Sequence, residues 1–202
     1  MKLKLISELK KMLNRTEYKI DEINDKIIIN YGSAYLSPED YIEIKIYHNI
    51  YEVCEIHKDI RKIGVKTDKK NDAIVFAIIL CKRLYESNAA DKIIAKKIRQ
   101  FVDEGNVSAA KELLKENLFE DKYSLEYEID GKICLIQQEN KAYVKFHGKN
   151  LVENAKISRG FVALYNYSRN LMEISAIYNM LKLNYDFSYE QKEVEDIYIF
   201  GI

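Results

Sequence analysis

The stretch from Asp72 to Tyr85 is apolar on nearly every side through most of its length. A helix of that composition must be covered by other elements over most of its surface. Its longest apolar run, Ala73 to Cys81, is far shorter than the roughly 18–20 residues that a membrane-spanning helix needs. We therefore expect a buried helix at the centre of the first half of the chain.

The residues from 41 to 47 alternate with the period of a β-strand. Three isoleucines point to one side, and tyrosines and charged residues point to the other. His48-Asn49 can form a tight turn because Asn tolerates a positive φ, so residues 50–56 should return as the second arm of a hairpin. We expect the isoleucine side to be buried and the other side to be exposed to solvent.

Helical and strand patterns continue along the chain, which predicts an α+β fold with mainly antiparallel sheets packed against helices. We divide the chain into 1–88 and 89–202. The further predicted elements are helices over the first dozen residues, 88–103, 106–118 and 170–183; a helical turn at Ser37 to Asp40; strands at 27–29, 63–65, 123–129, 133–136 and 142–146, with a hairpin turn at Asp130-Gly131; and an edge strand at 197–202.

Both halves show the same order of helix, antiparallel strands and buried helix, once over 1–87 and again over about 91–183. The match lies in the pattern more than in residue identity. Helix–meander–helix is a common arrangement that also recurs by chance. Two similar halves from an internal duplication and a chance recurrence are therefore both open.

The 32 basic and 32 acidic residues cancel, so no global field draws the chain to DNA, RNA or an anionic membrane. Lysines interrupt the apolar positions of the N-terminus, unlike a secretory signal. The three cysteines are odd in number, widely spaced and set in apolar segments, which is typical of reduced core residues. We expect a cytoplasmic protein with neither a membrane nor a nucleic acid as partner.

Motifs for nucleotide hydrolysis, acyl transfer and thiol catalysis are not found in the sequence. The three histidines, His48, His57 and His147, are far apart and lack the spacing of metal ligands. We expect no metal, no cofactor and no catalytic activity.

The sequence also contains one pattern that is typical of an enzyme. Glu43-Ile44-Lys45, with Asp25 before an earlier strand and Glu8 on the first helix, resembles the acid…acid-x-Lys pattern of restriction-endonuclease-like nucleases. That resemblance implies carboxylates that hold Mg²⁺ and a lysine that orients the attacking water. The competing interpretation is an ordinary ion pair on the solvent side of a strand.

The chain has 16 tyrosines and no tryptophan. Tyrosine is common at protein interfaces because it supplies broad contact area at low entropy cost, although it also suits half-exposed strands. Flanked by charges of both signs, the first hairpin is our candidate for a protein-binding surface. Its predicted members are Tyr41, Glu43, Lys45, Tyr47, Tyr51 and Glu55.

The segment from Tyr51 to Gly64, followed by a polar link and the Asp72-Ala helix that ends in Lys82-Arg-Leu-Tyr, resembles small Firmicute immunity proteins of polymorphic toxin systems. Tyr51 stands where that family often has tryptophan. The resemblance implies a non-catalytic inhibitor that neutralises a toxin or defence protein by direct binding. The alternatives are the nuclease and a structural or oligomeric accessory protein.

Overall fold

The computed structural model describes residues 2–14, 17–32, 39–86 and 91–201, which form the expected α+β fold with mainly antiparallel sheets. They fall into two compact units, one of residues 1–87 with 178–202 and one of residues 88–177. The helical turn expected from Ser37-Pro38 and the predicted boundary at 88/89 lie outside the described residues. Within the described part of the chain, none of the helices has the length and apolar character that crossing a membrane requires.

The first unit contains a five-stranded antiparallel sheet in sequential order: β1 (Tyr18–Ile23), β2 (Lys26–Tyr31), β3 (Asp40–Tyr47), β4 (Ile50–His57) and β5 (Ile60–Thr67). Three of its connections are two-residue turns, at Asn24-Asp25, His48-Asn49 and Lys58-Asp59. Both residues of each turn have a positive φ, as a type I′ hairpin turn requires. The predicted hairpin at His48-Asn49 is thereby confirmed, and β5 is longer than the predicted strand at 63–65.

Two helices of the first unit match the sequence expectations: α1 (Lys2–Met12) and α2 (Lys70–Glu86). Every residue of α2 from Asp72 to Cys81 is buried, and the helix packs against β3, β4, β5 and α1. Glu8 of α1 accepts a hydrogen bond from Lys70 Nζ at 2.8 Å. The buried central helix predicted from the apolar stretch is confirmed.

The C-terminal segment is a helix, so the edge strand predicted at 197–202 is wrong. α6 (Gln191–Phe200) begins with a capping box between Glu190 and Glu193 and ends at Gly201, which has a φ of 75°. Its buried side chains Val194, Ile197 and Tyr198 follow helical spacing, and the helix packs on α2. Residues 178–202 therefore belong to the first unit, whereas the sequence division placed them with the second half.

The second unit contains α3 (Lys92–Asp103), α4 (Val107–Asn117) and a four-stranded sheet ordered β6 (Tyr123–Ser124), β7 (Ile133–Gln138), β8 (Lys141–Phe146) and β9 (Lys149–Ala155). α5 (Ile157–Asn184) follows, and its residues up to 177 belong to this unit. The predicted strand at 123–129 is wrong beyond Ser124, whose hydroxyl donates to the Tyr127 carbonyl at 2.7 Å and turns the chain. Because β6 pairs in parallel with β7, Asp130-Gly131 does not connect a hairpin.

The order of helix, strands and helix does recur in the two halves, but the sheets differ in detail. The first is a five-stranded antiparallel meander, and the second has four described strands with a parallel pair at one edge. The choice between internal duplication and chance recurrence therefore stays open.

Candidate functional site

The strand pairing divides the six predicted interface residues between two faces of the first sheet. Ile46 lies opposite Tyr51, and Ile42 lies opposite Glu55. Directly opposed residues of an antiparallel pair point to the same side of the sheet. Tyr51 and Glu55 therefore share the side of the isoleucines, and only Tyr41, Glu43, Lys45 and Tyr47 remain on the other side.

The predicted exposure of Tyr51 and Glu55 is wrong. Tyr51 is 4% exposed, and Glu55 is buried as well. The Glu55 carboxylate accepts a hydrogen bond from Arg83 Nη1 of α2 at 2.6 Å. Glu55 therefore stabilises the contact between the sheet and its central helix, and neither side chain is available to a partner.

The opposite side carries charged residues from all five strands, and those that form a network come from β2, β3, β4 and β5. One row across the sheet pairs Lys26 with Lys45, Lys45 with Glu52, and Glu52 with Lys66. Sequence reasoning missed the members from β2, β4 and β5; the alternation of β4 and β5 about the Lys58-Asp59 turn is the signal that could have found Glu52 and Lys66. We call this surface the charged face; its residues are Lys26, Tyr41, Glu43, Lys45, Tyr47, Glu52, Arg61 and Lys66.

Glu43 lies at the centre of the charged face. It is only 3% exposed, so the prediction that its side chain is exposed to solvent is wrong. Its neighbours across the sheet are Ile28 and Cys54. Lys26 Nζ lies 2.7 Å from one carboxylate oxygen, and Lys45 Nζ lies 3.1 Å from the other. A third cation, Arg61, approaches to 3.7 Å.

These cations keep Glu43 ionised. Burial by itself raises the pKa of Glu43, but hydrogen bonds from Lys26 and Lys45 outweigh it, so the net pKa lies below the ordinary value. The same contact with Glu43 raises the pKa of Lys26. At neutral pH the charged face therefore holds a buried carboxylate beneath fully charged cations.

Glu52 repeats this arrangement beside Glu43. Arg61 Nη1 donates to its carboxylate at 2.5 Å, and Lys66 Nζ lies 3.5 Å away. Burial raises the pKa of Glu52, but the contacts with Arg61 and Lys66 lower it by more, so this carboxyl is also ionised at neutral pH. Arg61 bridges the two carboxylates, which joins all four cations into one network.

The tyrosines frame this network along β3. Tyr47 is 44% exposed, and Tyr41 is half-buried. The Tyr47 hydroxyl is the largest cause of the raised pKa of Lys66. Tyr47 is therefore both accessible and close to the cations.

The carboxylates of the nuclease-like pattern each have a separate cation partner. Asp25 lies in the β1–β2 turn, is largely exposed and pairs with Lys2 at 2.9 Å. Glu8 pairs with Lys70, and Glu43 is held by Lys26 and Lys45. Among residues 2–14, 17–32, 39–86 and 91–201, no group of three or more His, Cys, Asp or Glu side chains is placed to hold a metal ion.

The cysteines are free and buried. Burial raises the pKa of the Cys54, Cys81 and Cys134 thiols. Because the thiolate is the nucleophilic form of cysteine, these side chains are inert at neutral pH.

Compared with known proteins, the chain matches no family model, no curated protein and no solved structure. The interpretation of the charged face therefore depends on its own geometry.

Proposed function

We propose that the protein binds another protein through the charged face and inhibits it without catalysis. The observation that carries this proposal is the layering of the network. The carboxylates of Glu43 and Glu52 lie close to the sheet, and these side chains are 4% and 14% exposed. The four cations lie outside, where theirs are 34–59% exposed, and Tyr47 stands beside them.

This layering holds the binding groups in place before a partner arrives. A free lysine or arginine side chain loses rotamer freedom when it is immobilised at an interface, at a cost of roughly 0.5–1.5 kcal/mol each. Here ion pairs with Glu43 and Glu52 already restrict Lys26, Lys45 and Arg61 on a rigid sheet. Such preorganisation favours specific binding.

The same contacts argue for binding over chemistry. Glu43 and Glu52 are ionised and already form ion pairs with cations, so neither is poised to accept a proton from a substrate or to ligate a metal. An aromatic side chain among ordered charges is typical of a specific protein interface, where tyrosine supplies contact area and the charges set orientation.

The resemblance of the β4–β5–α2 segment to immunity proteins supports a class of partner. On this proposal the protein acts in the bacterial cytoplasm as an immunity or anti-defence protein, and its target is a toxin or a defence protein. The target is blocked because its surface is covered by the charged face.

The experiment is affinity capture from a lysate of the native cell with three baits: the wild-type protein, Tyr47→Ala and Tyr127→Ala. Tyr127 is a matched control because it is 63% exposed and belongs to the second unit. We expect a protein that the wild type and Tyr127→Ala recover equally, that Tyr47→Ala recovers poorly, and whose activity the wild type inhibits. Equal recovery by all three baits, or recovery of no protein, would contradict the proposal.

A further inference from the structure

The network of the charged face has an excess of positive charge. Four cations, Lys26, Lys45, Arg61 and Lys66, surround two carboxylates, so the network carries a net charge of +2. The rest of the chain must offset this because the whole protein has no net charge. The positive charge is therefore a local property of this face.

The excess charge also has a direction. The carboxylates of Glu43 and Glu52 lie against the sheet, and the ammonium and guanidinium groups cover them on the solvent side. Lys26, Lys45 and Lys66 belong to one row that crosses four strands, a span of about 14 Å at the usual spacing between strands. A partner that approaches this face meets a band of cations.

We infer that the charged face recognises carboxylates, and that its partner is a protein with an acidic surface patch that pairs with Lys26, Lys45 and Lys66. This inference rests on the proposed function and adds the chemistry of the partner. A patch with an excess of two or three carboxylates matches the charge of the network. Attraction between opposite patches would also speed the encounter and make it sensitive to salt.

The observations favour an acidic protein over a nucleic acid. Nucleic-acid affinity depends on releasing counterions from many phosphates, which demands a strongly basic surface. A network with a net charge of +2, in a chain of zero net charge, would release few counterions from a nucleic acid. Of the two tyrosines on the charged face, Tyr41 is half-buried and Tyr47 is exposed, so the face offers one accessible ring, whereas a groove that binds a single strand stacks successive bases on several.

The test is zero-length cross-linking with a carbodiimide, which joins a carboxylate to a lysine amine that touches it. The full-length protein is incubated with a lysate of the native cell, and the linked peptides are identified by mass spectrometry. A link between Glu112 and Lys115, an exposed pair whose charged atoms lie 3.1 Å apart, reports that the reagent works. We expect links from Asp or Glu of a partner to Lys26, Lys45 or Lys66.

Two variants at position 45 separate the effect of the positive charge from the ability of the side chain to be cross-linked. Lys45→Arg keeps the positive charge but cannot be coupled, so it should capture the same partner without a link at position 45. Lys45→Glu should reduce capture at least tenfold. Lys97→Glu, an exposed site on α3, is the matched control and should capture as the wild type does.

The outcomes distinguish this inference from the function on which it rests. A partner that is captured in a Tyr47-dependent manner but linked only through other lysines, with Lys45→Glu binding normally, would overturn the acidic-patch inference alone. Capture of no protein by any bait would overturn both. Nucleic acid recovered in a Lys45-dependent manner in place of a protein would also overturn both.

Discussion

The backbone N–H of Ser188 donates a hydrogen bond to one Asp72 carboxylate oxygen at 2.9 Å, and the Ser188 hydroxyl donates to the other oxygen. Asp72 is buried in the first turn of α2, and Ser188 lies just before α6. Two hydrogen bonds to a charged group thus join segments 116 positions apart in the chain. This contact helps to explain why the C-terminal residues belong to the first unit.

We expect Asp72→Ala to lower the free energy of unfolding by about 2–3 kcal/mol, because it removes both hydrogen bonds to the charged carboxylate. Ser188→Ala removes only the hydroxyl and should cost about 1 kcal/mol. Urea unfolding of the two variants checks the order. A stability for Asp72→Ala within about 0.5 kcal/mol of the wild type would mean that the contact contributes little.

Glu43 should make stability depend on acid. Its pKa in the folded protein is below the ordinary value of 4.5, so its ion pairs stabilise the fold above that pH, and this contribution is lost as the pH falls through the lowered folded pKa. Glu43→Gln should lower the free energy of unfolding by about 1–3 kcal/mol at pH 7 and flatten its decline in acid. Glu112→Gln, at an exposed pair with Lys115, is the control and should change little. An identical acid dependence for Glu43→Gln and the wild type would contradict this role.

The two tyrosines next to the His48-Asn49 turn should differ in their effect on stability. Tyr51 is buried on the isoleucine side of the sheet, so Tyr51→Ala should cost about 3–5 kcal/mol, as other large-to-small aromatic changes in cores do. Tyr47 is exposed on the charged face, so Tyr47→Ala should stay within about 1 kcal/mol of the wild type. Thermal and urea unfolding of both variants compare them directly. Equal losses would show that the assignment of faces is wrong.

Gly160 allows α5 to approach the second sheet closely. A Cβ atom at this position would lie 2.4 Å from the Cβ of Ala142 and 2.9 Å from a methyl group of Leu135. Alanine favours a helix over glycine by roughly 1 kcal/mol, but Ala142 has no side-chain rotamer by which to yield. We expect Gly160→Ala to destabilise the protein by about 1–3 kcal/mol. The double variant with Ala142→Gly should recover part of the loss; a stabilised single variant would refute the tight contact.

Local chemistry was sufficient to predict the elements whose signal is strong and local. The all-apolar run predicts the burial of α2, and Asn49 with the alternation of β3 predicts the β3–β4 hairpin. The C-terminal segment could not be assigned in this way because Ile197, Tyr198 and Phe200 also suit a strand. Its helical form is decided by the capping box at Glu190 and by packing on α2. The pair Asp130-Gly131 suits a hairpin turn, but pairing between strands decides its role. Because β6 pairs in parallel with β7, the residues between these strands do not form a hairpin.

The candidate site was predictable only in part. Alternation along β3 correctly separates Tyr47 from the isoleucines. The side on which Tyr51 lies depends on the register of the β3–β4 hairpin, in which Tyr51 is opposite Ile46. The burial of Glu43 could not be read from β3 alone. It results from Lys26 of β2 and Arg61 of β5, which are brought to it by strand pairing.

The central claim is that the charged face binds a partner protein, and calorimetry with the captured partner tests it most directly. The titrations compare the wild-type protein, Tyr47→Ala and the control Tyr127→Ala, each shown to be folded. We expect Tyr47→Ala to weaken binding by about 1–3 kcal/mol, as the loss of an interface anchor does, and Tyr127→Ala to bind as the wild type does. Full-strength binding by Tyr47→Ala, with or without a loss at Tyr127→Ala, would place the interface elsewhere and contradict the account.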